Sequence, residues 1–142
     1  MSKLPPYEHL VHYYETDQMA VVHHSNYIRW FEEARIFAFD RIGMGYRECE
    51  EMGIISPVTA VSCQYKTSAK FHDKVSVELK FTKFTGIRLY ISYTVTDVAT
   101  GEVRATGTSE HCFVSPDGKI LSIKKSFPDL YEKLTGFVEE DA

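Results

Sequence analysis

The stretch Tyr13-Tyr14-Glu15-Thr16-Asp17-Gln18-Met19-Ala20-Val21-Val22-His23-His24-Ser25-Asn26-Tyr27 decides the reading of this 142-residue chain. It joins two segments of different period. Over residues 7–14, Tyr7, His9, Val11 and Tyr13 alternate with Leu10, His12 and Tyr14, which predicts a strand. Over residues 26–42, Tyr27, Phe31, Ala34, Ala38 and Ile42 recur at three- and four-residue steps, and Ile28, Trp30, Phe37 and Phe39 widen the stripe. An apolar face that broad predicts a helix buried on several sides. Asp17 therefore falls just after a strand, while His23 and His24 fall just before a helix start at Ser25 or Asn26. Unpaired N–H groups at a helix start attract anions and anionic transition states. A carboxylate held beside them is the layout of a reaction site.

Outward from this stretch, Gly43 and Gly45 end the long helix, and a short helix over Tyr46–Met52 is closed by Gly53. The period then switches to two. Strands are expected over residues 55–68, 74–84, 87–98 and 102–115, with hairpin turns at Thr85-Gly86 and Ala99-Thr100-Gly101. Pro116-Asp117-Gly118 closes the last strand, and Leu130, Tyr131 and Leu134 suggest a short terminal helix. The expectation is a single α+β domain over residues 1–142, with four long antiparallel strands in a meander. About five strands and one strongly apolar helix pack economically when the sheet wraps round the helix. Long edge strands and a half-apolar outer face favour pairing of copies.

Composition narrows the function classes. At 44% hydrophobic and 25% charged residues, the chain is ordinary for a globular protein. A net charge of −4 argues against nucleic-acid binding, and no apolar run reaches membrane-spanning length. Residues 1–6 hold no apolar signal core, so a cytoplasmic location is expected. Cys49, Cys63 and Cys112 form no Cys-x-x-Cys pair and read as small buried hydrophobes, with no metal expected. Glycine-rich phosphate loops of dinucleotide folds are absent.

Tyr13, Thr16, Asp17, Val21, Val22, His24, Asn26 and Tyr27, followed by Arg29, Phe31, Glu33, Ala34 and Arg35, resemble the 4-hydroxybenzoyl-CoA thioesterase family of the hotdog fold. The likeness is greatest to the acyl-CoA thioesterase subgroup associated with the Tol-Pal system. Gln18-Met19-Ala20 stands where that family more commonly has a small or glycine-containing loop. The resemblance implies hydrolysis of an acyl-CoA to a free acid and coenzyme A, at a site between two subunits of a homodimer or homotetramer. Coenzyme A is then part of the substrate, and no separate cofactor is expected.

A thioester carbonyl needs a nucleophile or base, polarisation of its oxygen, and room for a thiolate to leave. Asp17 suits the first part, by direct attack or by activating water. The resemblance assigns the second to the backbone N–H of His24, and gives the His24 side chain and Tyr13 supporting roles. Each oxyanion donor lowers such a barrier by on the order of 3–4 kcal/mol. Asn26 is a substrate-binding candidate or a helix cap. Lys66, Lys70, Lys74 and Arg88 are candidates for the coenzyme A phosphates. Glu33 and Arg35 read as helix or dimer salt bridges, and the adjacency of Glu110 and His111 puts them on opposite faces of a strand. The competing functions are hydrolysis of acyl carrier protein thioesters and non-catalytic binding of an acyl thioester.

Overall fold

The computed structural model describes residues 4–139. Strand β1 (Tyr7–Leu10) leads through a 3-10 turn (Tyr13–Glu15) to α1 (Ser25–Arg41) and α2 (Tyr46–Glu51). Then come β2 (Val58–Tyr65), β3 (Lys74–Phe84), β4 (Arg88–Asp97) and β5 (Val103–Cys112), and two short helices, α3 (Ile123–Ser126) and α4 (Pro128–Thr135). The five strands form one antiparallel sheet in the order β1-β3-β4-β5-β2, curled round α1. The hotdog architecture is as the sequence predicts.

Several details differ from the expectation: β2 and β5 are shorter than the expected 55–68 and 102–115, and α3 precedes the one terminal helix expected. The meander covers β3, β4 and β5, but β2 pairs with β5 and forms the far edge. Residues 66–73 between β2 and β3 contain no glycine and are too many for a tight hairpin, so the chain crosses the sheet instead. The first strand also ends at Leu10 rather than running to residue 14. The Glu15 carboxylate draws in the His12 N–H at 2.7 Å, which winds Tyr13–Glu15 into a 3-10 turn and leaves Tyr13 and Tyr14 exposed.

The core lies between α1 and the inner face of the sheet. Val75, Val77, Leu79 and Phe81 of β3 and Leu89, Ile91, Tyr93 and Val95 of β4 point inward, as their alternation requires. They meet Tyr27, Trp30, Phe31, Ala34 and Ala38 of α1, all buried. Gly43 follows α1 with φ +79°, the left-handed turn that suits a helix stop. The inner face of β5 is Ala105, Gly107, Ser109 and His111, small or polar residues that give α1 room to approach. The Phe31 ring lies over Gly107 and stacks on Tyr93 at 4.2 Å between centroids. Burial of such a phenylalanine stabilises the fold by about 1.5–3 kcal/mol.

A methyl group at Gly107 would sit 2.5 Å from the Phe31 ring and 2.6 Å from the Ser62 carbonyl oxygen. Gly107→Ala is therefore expected to lose about 1–3 kcal/mol through overpacking. Urea unfolding followed by tryptophan fluorescence measures this; an unchanged midpoint contradicts the packing described.

Candidate active site

The segment between β1 and α1 is held by one buried carboxylate. Glu15 is 5% exposed. Its Oε1 lies 2.8 Å from His9 Nε2 and accepts the His12 N–H, while Oε2 accepts the Trp30 indole N–H at 2.8 Å. Its backbone carbonyl accepts the His23 N–H at 2.8 Å and the Asn26 side-chain amide at 2.9 Å. Burial alone would raise the Glu15 pKa, but the bonds from His12, His9 and Trp30 outweigh it and hold the carboxyl below its ordinary value. The network continues through Tyr7, whose hydroxyl lies 2.9 Å from His9 Nδ1 and donates to Glu33 at 2.8 Å. Glu15 thus ties both flanks of the loop, residues 16–22, to the start of α1.

Asp17 opens that loop. Its N–H donates to the Val21 carbonyl at 2.9 Å, and its Oδ1 accepts the Met19 N–H at 2.8 Å. Ala20 closes the turn at φ 63°, a left-handed conformation that costs a non-glycine residue on the order of 1 kcal/mol. Among the described residues, Asp17 Oδ2 has no hydrogen-bond partner, and the side chain is half-buried. It faces a groove of about 210 Å³ lined on one side by Met19, Val21 and Val22 and on the other by His24, Tyr27 and Tyr65 to Ser68.

His24 immediately precedes α1. Its N–H donates to no protein acceptor among the described residues, whereas the N–H groups of Ser25, Asn26 and Tyr27 turn to His23 Nδ1, His23 O and His24 O. The Tyr65 hydroxyl donates to the His24 carbonyl at 3.1 Å and so fixes that peptide from the β2 side. A half-buried carboxylate and a peptide N–H at the positive end of a 17-residue helix thus share one groove. Such a pair can activate a nucleophile and polarise the carbonyl it attacks.

Of the residues singled out from sequence, Asp17, His24 and Lys66 meet in this groove. Tyr13 does not; it is 76% exposed and packs edge-on against Phe71. Asn26 is a clamp, its amide also donating to the His23 carbonyl at 3.3 Å. Lys70 is exposed beside the 71–73 turn, and Lys74 lies 3.5 Å from Glu8. Arg88, opposite Cys112, stands at the other end of the sheet from Tyr65 and Lys66. Glu33 accepts the Tyr7 hydroxyl and lies 3.5 Å from His9 Nδ1 of β1, and Arg35 is buried with no carboxylate partner among the described residues, so neither makes a salt bridge within the helix. Tyr65 and Glu15 were not singled out as site residues. Tyr65 carried a signal, as the last residue of an exposed strand beside Lys66; the Glu15–Trp30 contact spans a loop and has none.

His9, His12 and Glu15 also bring potential metal-ligating atoms within 4.8 Å of one another. Glu15 already accepts three donors there, so the cluster is satisfied as a hydrogen-bond network.

Glu15→Gln is expected to cost about 1–3 kcal/mol at neutral pH, as loss of a buried charge-assisted acceptor does. Because the folded pKa lies below the ordinary 4.5, this contribution is full above that value and fades as pH falls through the folded pKa. Denaturant titrations of both proteins from pH 7 to pH 3 should show their stabilities converging in acid. A gap that stays constant excludes the charge as its source.

Comparison with known proteins identifies the family. Residues 11–134 match the thioesterase-like superfamily. YneP of Bacillus subtilis, provisionally named an acyl-CoA thioesterase, is 32% identical over 127 residues, which cover 87% of this chain and 91% of YneP. The crystal structure of a DHNA-CoA thioesterase from Staphylococcus aureus is 34% identical, with a TM-score of 0.87 over 92% of this chain and 88% of that one. A hypothetical protein from Aquifex aeolicus, AQ1494, is 32% identical with a TM-score of 0.83, covering 91% and 98% of the two chains. The protein belongs to the thioesterase-like superfamily, and with it to the hotdog-fold thioester hydrolases.

Proposed function

We propose that this protein hydrolyses acyl-CoA thioesters, with water, to a carboxylic acid and coenzyme A in the groove between Asp17 and His24. The observation that carries the reading is that Asp17 and His24 line one groove with an Asp17 oxygen and the His24 N–H both lacking a hydrogen-bond partner among the described residues. The thioester carbonyl oxygen points at the His24 N–H and the end of α1, where developing negative charge is stabilised. Asp17 either attacks the carbonyl carbon, giving a mixed anhydride that water then opens, or takes a proton from the attacking water. In both routes the C–S bond breaks and the sulfur leaves as thiolate, to be protonated as free coenzyme A. Lys66, a cation on the same groove, is the candidate in this reading for contact with the coenzyme.

Within the superfamily, the run from Tyr13 to Arg35 favours the Tol-Pal-associated acyl-CoA thioesterases. A second copy completes the site in this reading. β2 is an edge strand whose Val58, Val61 and Tyr65 are exposed, beside an exposed Ile28 of α1, and edge-to-edge pairing there would cover them. None of the helices among the described residues is long and apolar enough to cross a membrane, and all three cysteines are unbridged, which suits action in the cytoplasm.

Asp17→Asn should lower kcat/KM for acyl-CoA at least about a hundredfold while leaving the unfolding midpoint nearly unchanged. Thiol release from short, long and aromatic acyl-CoAs, including a naphthoyl-CoA, measures this. Turnover near that of the unaltered enzyme across the panel removes Asp17 from the chemistry.

A further inference from the structure

Two-thirds of the way along α1 lies a second polar centre, of opposite sign to Glu15. Arg35 is 5% exposed, and none of the described carboxylates pairs with its guanidinium. Its Nε donates to the Tyr46 hydroxyl at 3.2 Å and its Nη1 to the Tyr93 hydroxyl at 3.0 Å. Beyond Tyr93 the chain runs to Ser109 Oγ at 2.6 Å and on to His111 Nε2 at 2.7 Å.

One order of the hydrogens in this chain satisfies the most groups. A guanidinium has no acceptor, so the Tyr93 O–H donates to Ser109. The Ser109 O–H then donates to His111 Nε2, which puts the His111 proton on Nδ1. Burial, followed by the charge of Arg35, pushes the His111 pKa down to about 4, so the ring is neutral at neutral pH. Three donors are left without protein acceptors among the described residues: Arg35 Nη2, the Tyr46 O–H and His111 Nδ1–H. All three residues line a single cavity of about 50 Å³, whose other walls include Phe39, Met44, Ile54 and Leu89. A fixed positive charge and spare donors on residues that line one largely apolar cavity suit an oxygen anion. Two carboxylates lie nearby, Glu50 at the same cavity and Glu32 one turn back on α1, and neither reaches ion-pair distance of Arg35.

Arg35 also lines the groove between α1 and β2, together with Ile28, Arg29, Glu32, Val58 and Val61. That groove begins one helical turn beyond His24 and four residues along β2 from Tyr65, on the same strand face. Along α1 the Asp17–His24 groove comes first, and the second groove, with Ile28, Val58 and Val61 as apolar walls and exposed Arg29 and Glu32 beside them, follows it to Arg35. Eleven residues of helix separate His24 from Arg35, about 16 Å at 1.5 Å each, and an arginine side chain leans back toward the helix start.

We propose that Arg35, with Tyr46 and His111, receives an oxygen anion carried at the remote end of the acyl group, so that the enzyme selects acyl-CoAs bearing a second acidic group over plain alkanoyl-CoAs. This assignment rests on the thioesterase reading above and names the substrate class of the same site.

The test compares kcat/KM for two CoA esters of equal length, octanedioyl-CoA (one free ω-carboxylate) and octanoyl-CoA, with the six- and ten-carbon pairs alongside. The expected result is a preference of at least about tenfold for the ω-carboxylate at one or more lengths. Arg35→Met should bring that ratio close to one, and the milder Tyr46→Phe should lower it severalfold. The ratio is insensitive to a general loss of activity, and Tyr46→Phe keeps the guanidinium in place should Arg35→Met fail to fold. A wild-type ratio near one at all three lengths, or a ratio that neither substitution moves, overturns the assignment while leaving the thioesterase standing. Hydrolysis of none of the six esters overturns both.

Discussion

Everything at the front of this molecule depends on how Glu15 satisfies its burial. A carboxylate taken out of water is tolerated only when several donors converge on it, and here an indole, a peptide N–H and an imidazole do so. Those donors come from β1, from the 3-10 turn and from α1, so the three elements are pinned to one point. The carbonyl of the same residue takes the N–H of His23 and the amide of Asn26. One residue therefore sets where the strand stops, where the loop begins and how that loop meets the helix. The left-handed Ala20 and the Met19–Asp17 bond are tolerated within this frame.

The two polar centres on α1 divide its length. Near its start, Trp30 serves a buried anion; farther along, Arg35 is itself a buried cation among phenols. Between them Phe31 lies flat on Tyr93 and over Gly107, which fixes the rotation of the helix about its axis. The small inner residues of β5 make that approach possible. In the proposed reading the amide that polarises the carbonyl and the groups that meet the acyl chain share this helix, and clamping at three points holds them rigidly together.

Much of this was legible in the chain. The three- and four-residue steps from Tyr27 to Ile42 and the alternation in β3 and β4 have direct physical readings, and both elements appear within a residue or two of expectation. Asp17 and His24 stood out because an acid and a helix start were adjacent in sequence, and they share a groove. What could not be read was long-range. The partner of β2 depends on a crossing that local turn chemistry does not encode, and the inner face of β5 carries Gly107, Ser109 and His111 in place of apolar residues. Tyr13 looked inward because alternation was carried past Leu10, where the pull of Glu15 on His12 had already ended the strand. Arg35 looked like a surface ion pair because nothing local to it announces two tyrosines from other elements.

The clamping of α1 also limits how selectivity in such a scaffold can drift. A helical side chain cannot be moved gradually along the axis; its position on a given face changes in jumps of one turn, about 5.4 Å. If Arg35 receives the acyl anion as proposed, a scaffold of this kind that selects another acyl length from the same amide needs its cation three or four residues away, near positions 31–32 or 38–39. Under that proposal, the acyl length a relative selects changes in steps of the helical pitch.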